Sequence, residues 1–178
     1  VNPFIKQLNK RLFEESDINE HLPLLFALAT QCRTITEFGV WTGNSTIAFL
    51  AGQYYHPGFT MLYSYDVRDC SDVLRSMEGW PSWEFTKTDT SKPFTLPVCD
   101  MLFIDSLHTY DQVVAELEHA TEVNKWIVMH DTVLFGKDGE GGGIGILTAI
   151  EQFLERNPKW RKVINYEHNN GMMILERR

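Results

Sequence analysis

Four acidic residues stand at the ends of apolar, β-prone runs, and their positions are the first chemical signal in the chain. Glu37 lies in Thr34-Ile35-Thr36-Glu37-Phe38, Asp66 follows Met61-Leu62-Tyr63-Ser64-Tyr65, Asp105 follows Cys99-Asp100-Met101-Leu102-Phe103-Ile104, and Asp131 follows Trp126-Ile127-Val128-Met129-His130. In a parallel sheet, ligands bind beyond the carboxyl ends of the strands, so four acids there point to one shared site. An acid at the end of a second strand suits the paired hydroxyls of a ribose, which fits Asp66. Asp105 and Asp131, ending neighbouring strands, suit one hard cation. Mg2+ favours such a place, with one or two carboxylates, several waters and room for substrate oxygens. His108 follows Asp105 by three residues, and an imidazole titrating near neutrality suits a general base.

The loop after the first run, Gly39-Val40-Trp41-Thr42-Gly43-Asn44-Ser45, has the glycines of a tight strand-to-helix turn. A dinucleotide fingerprint would carry GxGxxG, with amides aimed at a pyrophosphate. Here the middle glycine is missing and Glu37 precedes the first. That acid repels a diphosphate and suits a cationic amino group or a sulfonium.

Amphipathic helices alternate with the strands. The spacing predicts helices over 3–14, from Asp17 to about Thr30 behind an Asp17-x-x-Glu20 capping box, and over 43–53, 70–78, 111–123 and 146–156. A weak third strand covers 83–86, and two closing strands near 162–166 and 172–176 flank the turn signal Asn170-Gly171. The expected fold is α/β: a Rossmann-like, seven-stranded, mostly parallel sheet with an antiparallel C-terminal hairpin and helices on both faces. Residues 1–178 read as a single domain, with an N-terminal helical cap over 1–32 and the core over 33–178.

At 43% hydrophobic and 22% charged residues, the composition is that of an ordinary globular protein. A net charge of −8 argues against nucleic acid as a bulk partner. No apolar run is long enough for a membrane helix. Cys32, Cys70 and Cys99 are scattered and odd in number, which predicts buried thiols and a reducing, cytoplasmic setting. His21, His56, His119 and His168 show no metal spacing and read as surface residues. Trp41 and Tyr110 read as core residues packed near the site. The stretch from Gly136 to Gly145 lacks the Gly-Lys-Ser/Thr of a P-loop, leaving a mobile loop beside the site or a plain connector.

The segment from Glu37 to Ser45 resembles motif I of class I methyltransferases dependent on S-adenosylmethionine (SAM), especially the catechol O-methyltransferase type. Ile104-Asp105-Ser106-Leu107-His108-Thr109-Tyr110, Val128-Met129-His130-Asp131-Thr132 and Phe153-Leu154-Glu155-Arg156-Asn157-Pro158-Lys159-Trp160 are similar to the cephalosporin hydroxylase and rhamnosyl O-methyltransferase relatives. The resemblance spans about residues 33–178. It implies that Glu37, Gly39 and Ser45 hold the methionine part of SAM, that Asp66 binds the ribose, and that Asp89 or Thr90 borders the adenine. Asp105 would lie near the SAM amino group and the reacting centre. It also implies Mg2+ at Asp105 and Asp131 with Thr132 as third ligand, where the catechol type carries an amide instead. His108 takes the offset of that type's catalytic lysine. His130 reads equally as a ligand or as a structural partner of the loop.

The function implied is methyl transfer from SAM to a hydroxyl of a small sugar or phenolic molecule, with His108 and Asp105 at the chemical centre. The partner is that small acceptor; the oligomeric state is open, a homo-oligomer included. Three other readings compete: a non-catalytic SAM-binding module, a metal-dependent hydrolase suggested by His108 and His130-Asp131, and a dinucleotide-dependent dehydrogenase, which the missing GxGxxG disfavours.

Overall fold

The computed structural model describes residues 2–76 and 80–178. Seven strands form one sheet in the order β3-β2-β1-β4-β5-β7-β6. They are β1 (Thr34–Phe38), β2 (Met61–Asp66), β3 (Trp83–Lys87), β4 (Cys99–Ile104), β5 (Val123–His130), β6 (Trp160–Tyr166) and β7 (Met172–Arg177). β1 to β5 run parallel, while β7 pairs antiparallel with both β5 and β6. Reversal of strand order at β1 and β4 opens a crevice at their carboxyl ends, where ligands bind in open α/β sheets.

Side-chain alternation divides the core in two. Met101, Phe103, Val128, Met172 and Ile174 face α1 (Ile5–Phe13), α2 (Leu22–Ala29) and α3 (Asn44–Gln53). Leu102, Ile104, Ile127, Met129, Met173 and Leu175 face α5 (Tyr110–Leu117) and α6 (Ile146–Arg156). Strands covered on both faces must be apolar throughout, which is why β4 and β5 read as continuous runs. Among the described residues, no helix is long and apolar enough to cross a membrane.

Two helix boundaries differ from the sequence expectation. Regular α2 begins at Leu22, behind a 3-10 turn at Asn19–His21, and no capping box forms at Asp17. Pro23 lacks an N–H, and His21 is pinned: its Nε2 lies 3.1 Å from the His168 carbonyl and 3.2 Å from that of Asn169. His21 is thus buried, against its expected place at the surface. α5 stops at Leu117 and passes into a 3-10 turn, Glu118–Glu122, because Val123 already pairs with Cys99 in the sheet. α4 (Ser71–Ser76) covers the start of the helix expected over 70–78, whose last two residues lie outside the described ones. The three cysteines are unpaired and buried, as expected.

α2 and α3 touch at Gly52, where an added Cβ would stand 2.4 Å from the Phe26 carbonyl oxygen. Helix propensity alone favours Gly52→Ala by about 1 kcal/mol. The contact reverses the sign, and overpacking of this kind costs about 1–3 kcal/mol. We therefore expect the substitution to lower the melting temperature by several degrees; a rise in thermal melts would refute this contact.

Candidate active site

The site is built on one close approach. Gly39 follows β1 with φ of +88°, and a Cβ there would lie 1.9 Å from the Asp105 carbonyl oxygen. Only glycine lets the loop after β1 pass directly over the end of β4. The Asp66 carboxylate then fixes the loop: Oδ2 accepts from the amides of Val40 (2.8 Å) and Trp41 (3.0 Å), and Oδ1 from that of Arg68 (2.8 Å). Burial works to raise the Asp66 pKa, but these three donors outweigh it and hold the group below its ordinary value.

Glu37 is fully buried. Its carboxylate accepts from Ser45 Oγ (2.6 Å), Thr46 Oγ1 (2.9 Å) and Ser64 Oγ (2.6 Å). Burial pushes its pKa up to about 7 in spite of the three hydroxyls. Glu37 does not line the cavity, whereas Ser45 does. Glu37, expected to hold the methionine part, thus stands behind the wall and bonds Ser45, which lines the cavity.

A cavity of about 580 Å3 runs across the strand ends, a size ordinary for a small-molecule site. Gly39, Ser45, Asp66, Asp89, Thr90 and Asp105 all line it, as do His108 and Asp131. The Asp89 carboxylate is held by the Ser91 amide (2.9 Å) and hydroxyl (2.6 Å), which lower its pKa. Thr132 does not line the cavity; it is buried and donates its hydroxyl to Asn165 at 2.7 Å. The Thr132 hydroxyl, expected as a third ligand, is thus engaged by Asn165. Trp41 lies at the rim and is 58% exposed, so it is no core residue.

At the other end, His108 Nε2 lies 3.3 Å from Asp105 Oδ1 and 3.0 Å from Asp131 Oδ2. His130 Nδ1 lies 3.2 Å from the same Asp105 oxygen. Burial raises carboxyl pKa values, yet the two imidazoles hold Asp105 well below the carboxylate range. For Asp131 burial wins, and its pKa is raised. Burial disfavours both imidazolium ions, but the carboxylates outweigh it, raising His108 and pushing His130 up to about 9. Asp131 adopts φ of +58°, and its Oδ1 is buried without a hydrogen-bond partner. Donor atoms of Asp105, His108 and Asp131 lie within 4.8 Å of one another, a cluster that could hold a metal ion.

Three contributors escaped the sequence reading. Glu140 Oε2 lies 3.1 Å from His108 Nδ1, and the ring of Phe135 stacks on His108 with centroids 5.0 Å apart. Glu140 is a charged residue set among glycines, a signal that could have marked it. Asp17, expected as a helix cap, lines the cavity instead.

A family model described as a methyltransferase domain matches residues 36–132, more than half of the chain. The chain belongs to this family. The fold of the methyltransferase agrees with it, and the class is that of the SAM-dependent enzymes named above. No curated protein sequence matches the chain. Among solved structures it is similar to the O-methyltransferase TomG from Streptomyces achromogenes in complex with SAM. That match has 17% identity and a TM-score of 0.66, covering 99% of this chain and 90% of that one. It is also similar to an O-methyltransferase from Bacillus cereus in complex with SAH (14%, 0.67, 97% and 91%). The N-methyltransferase NodS from Bradyrhizobium japonicum WM9 is likewise similar (15%, 0.65, 100% and 98%). At such identities these structures establish the shared fold of the methyltransferase.

Glu37 makes stability depend on pH. Its folded-state pKa of about 7 lies above the ordinary 4.5, so the folded protein holds this proton more tightly than the unfolded chain. The stability it contributes is full below pH 4.5 and is lost as pH rises through 7. Glu37→Gln stays neutral throughout, so its stability relative to wild type should rise between pH 5 and pH 8, by up to about 3 kcal/mol. Paired thermal melts at the two pH values check this; an unchanging difference would mean the Glu37 pKa is not raised.

Proposed function

We propose that the protein transfers the methyl group of SAM to a hydroxyl of a small sugar or phenolic acceptor. The observation supporting this most is the convergence of Asp105, His108 and Asp131 in the same cavity as Asp66 and the loop at Gly39. Asp66 would take the ribose hydroxyls, Ser45 and the Gly39 backbone the methionine part, and Asp89 and Thr90 the adenine. Asp105 would stand between that half and an acceptor half formed by His108, Asp131, Phe135 and Glu140, which line the same cavity. A reducing, cytoplasmic setting fits the three buried, unpaired thiols.

Transfer is an in-line displacement: an O–CH3 bond forms as the S–CH3 bond breaks, and the bonding pair stays on sulfur to give S-adenosylhomocysteine (SAH). The acceptor must lose its proton, and His108 Nε2 would receive it in the neutral imidazole, a form that its raised pKa shifts to higher pH. Asp105 and Asp131 beside that nitrogen stabilise the imidazolium so formed, while Glu140 at Nδ1 holds the ring in place. Alignment of the two substrates supplies much of the remaining acceleration.

The residues also fit a small divalent cation. Donor atoms of the two carboxylates lie close together, and Asp131 Oδ1 is buried without a hydrogen-bond partner. Asp105 and Asp131 would hold Mg2+, without Thr132. Bound there, the ion would lower the pKa of the acceptor hydroxyl.

Loss of the base should separate chemistry from binding. For His108→Ala we expect turnover to fall about 10²–10⁴-fold while SAH affinity, measured by calorimetry, stays within about twofold. Near-wild-type turnover would remove His108 from the role of base. EDTA treatment should slow the wild type, and an unchanged rate would reject the Mg2+ assignment. Asp66→Asn should weaken SAH binding at least about tenfold, the worth of a hydrogen bond to a charged group. A wild type that binds no SAH would refute the proposed cofactor site.

A further inference from the structure

Behind the cavity wall at the β3 side lies a polar network that the proposed chemistry does not use. Glu116, on α5, is fully buried and stands outside the cavity lining. Its Oε1 accepts from the Thr90 hydroxyl, from Ser106 Oγ at 2.6 Å and from Gln112 Nε2 at 2.7 Å. Gln112 Nε2 also donates to Thr90 Oγ1 at 2.9 Å. Glu116 Oε2 is buried with no partner, a cost that a residue kept only for packing would not carry. Thr90, Ser106 and Gln112 all line the cavity.

Proton counting fixes the Gln112 amide. Thr90 has one hydroxyl proton, and Glu116 takes it, so the Thr90 oxygen can only accept from Gln112. The amide group facing Thr90 and Glu116 must therefore be the NH2, since a flipped amide would set its oxygen against two acceptors. Both amide protons are engaged, and Gln112 Oε1 has no protein partner among the described residues. Gln112 lines the cavity, and its Oε1 is an acceptor whose orientation the protein itself enforces. It stands beside Thr90, on the side where the cofactor reading puts the adenine.

We propose that Gln112 Oε1, oriented by Glu116 and Thr90, accepts a hydrogen bond from the 6-amino group of the cofactor's adenine and so rejects 6-oxopurines. The inference rests on the proposed SAM site and names the determinant of base selectivity within it. In a hypoxanthine ring the 6-position is an acceptor, which would face Gln112 Oε1 with no proton between them. A site that pairs a substrate N–H discriminates strongly against an analogue lacking it, because its own polar group is left unpaired.

The test is calorimetric titration of the full chain with SAH and with S-inosylhomocysteine. Wild type should bind the inosyl compound at least about tenfold more weakly. Gln112→Met should lose roughly tenfold in SAH affinity and bring the two ligands to within about threefold of each other. Thr90→Val, nearly isosteric, frees the amide to turn and should also narrow the gap; it carries the test if Gln112→Met does not fold. Equal binding of both ligands by wild type overturns the proposal. So does a variant that weakens both alike and keeps the ratio, the mark of a merely structural role. Failure of wild type to bind SAH would instead overturn the cofactor site itself.

Discussion

The loop after β1 can lie across the end of β4 only because residue 39 has no side chain. With 1.9 Å between a would-be Cβ and the Asp105 carbonyl oxygen, any other residue would have to lift the loop off the strand. Two things then follow from the contact. The turn reaches α3 at a height where Ser45 faces the cavity and meets Glu37 beneath it, and Asp66 comes within reach of the amides of Val40 and Trp41. Asp105 is drawn against the same turn, so its carboxylate and the loop after β1 line one cavity.

Around the junction, the chain manages buried charge in two different ways. Asp105 is matched by two imidazoles and stays strongly acidic. Glu37 meets only hydroxyls, and its carboxyl is pushed up toward neutrality. Glu116 likewise meets neutral donors and is raised, with one oxygen left unpaired. Hydroxyl dipoles repay only part of the cost of removing a carboxylate from water, whereas an opposite charge repays more of it. Glu37 and Glu116 stand behind the cavity wall and bond residues that reach it. Asp105 and Asp131, which line the cavity, are the acids given histidine partners.

The N-terminal segment and the C-terminal hairpin meet behind Asp105. Asn169 Oδ1 accepts from the Glu20 amide and its Nδ2 donates to the Ser16 carbonyl. His21 and His130 both reach the Asn169 carbonyl, and the other face of His130 reaches Asp105. Residues distant in sequence thereby bear on one carboxylate. This linkage explains why His21 is buried and why Asp17 comes to the cavity.

The order of elements, the parallel sheet with its closing hairpin, and the acids at strand ends were legible because each rests on a local rule. Burial on both faces demands continuous apolar runs, tight turns demand glycine, and strand ends face the crevice. Asp66, Asp105, His108 and Asp131 could be marked for the site on those grounds. The resemblance to the methyltransferases agreed with them and added the cofactor. Sequence could not decide which polar atoms remain free after folding. Glu37 sinks below the cavity because three hydroxyls, two on α3 and one on β2, close over it. Thr132 turns to Asn165, 33 residues away, and Glu140 reaches His108 across 32. Hydrogen bonding is satisfied through space, with no signature in sequence spacing. The fold was therefore set by periodicity that a chain carries within itself, and the roles of the site residues by contacts that exist only once it has closed.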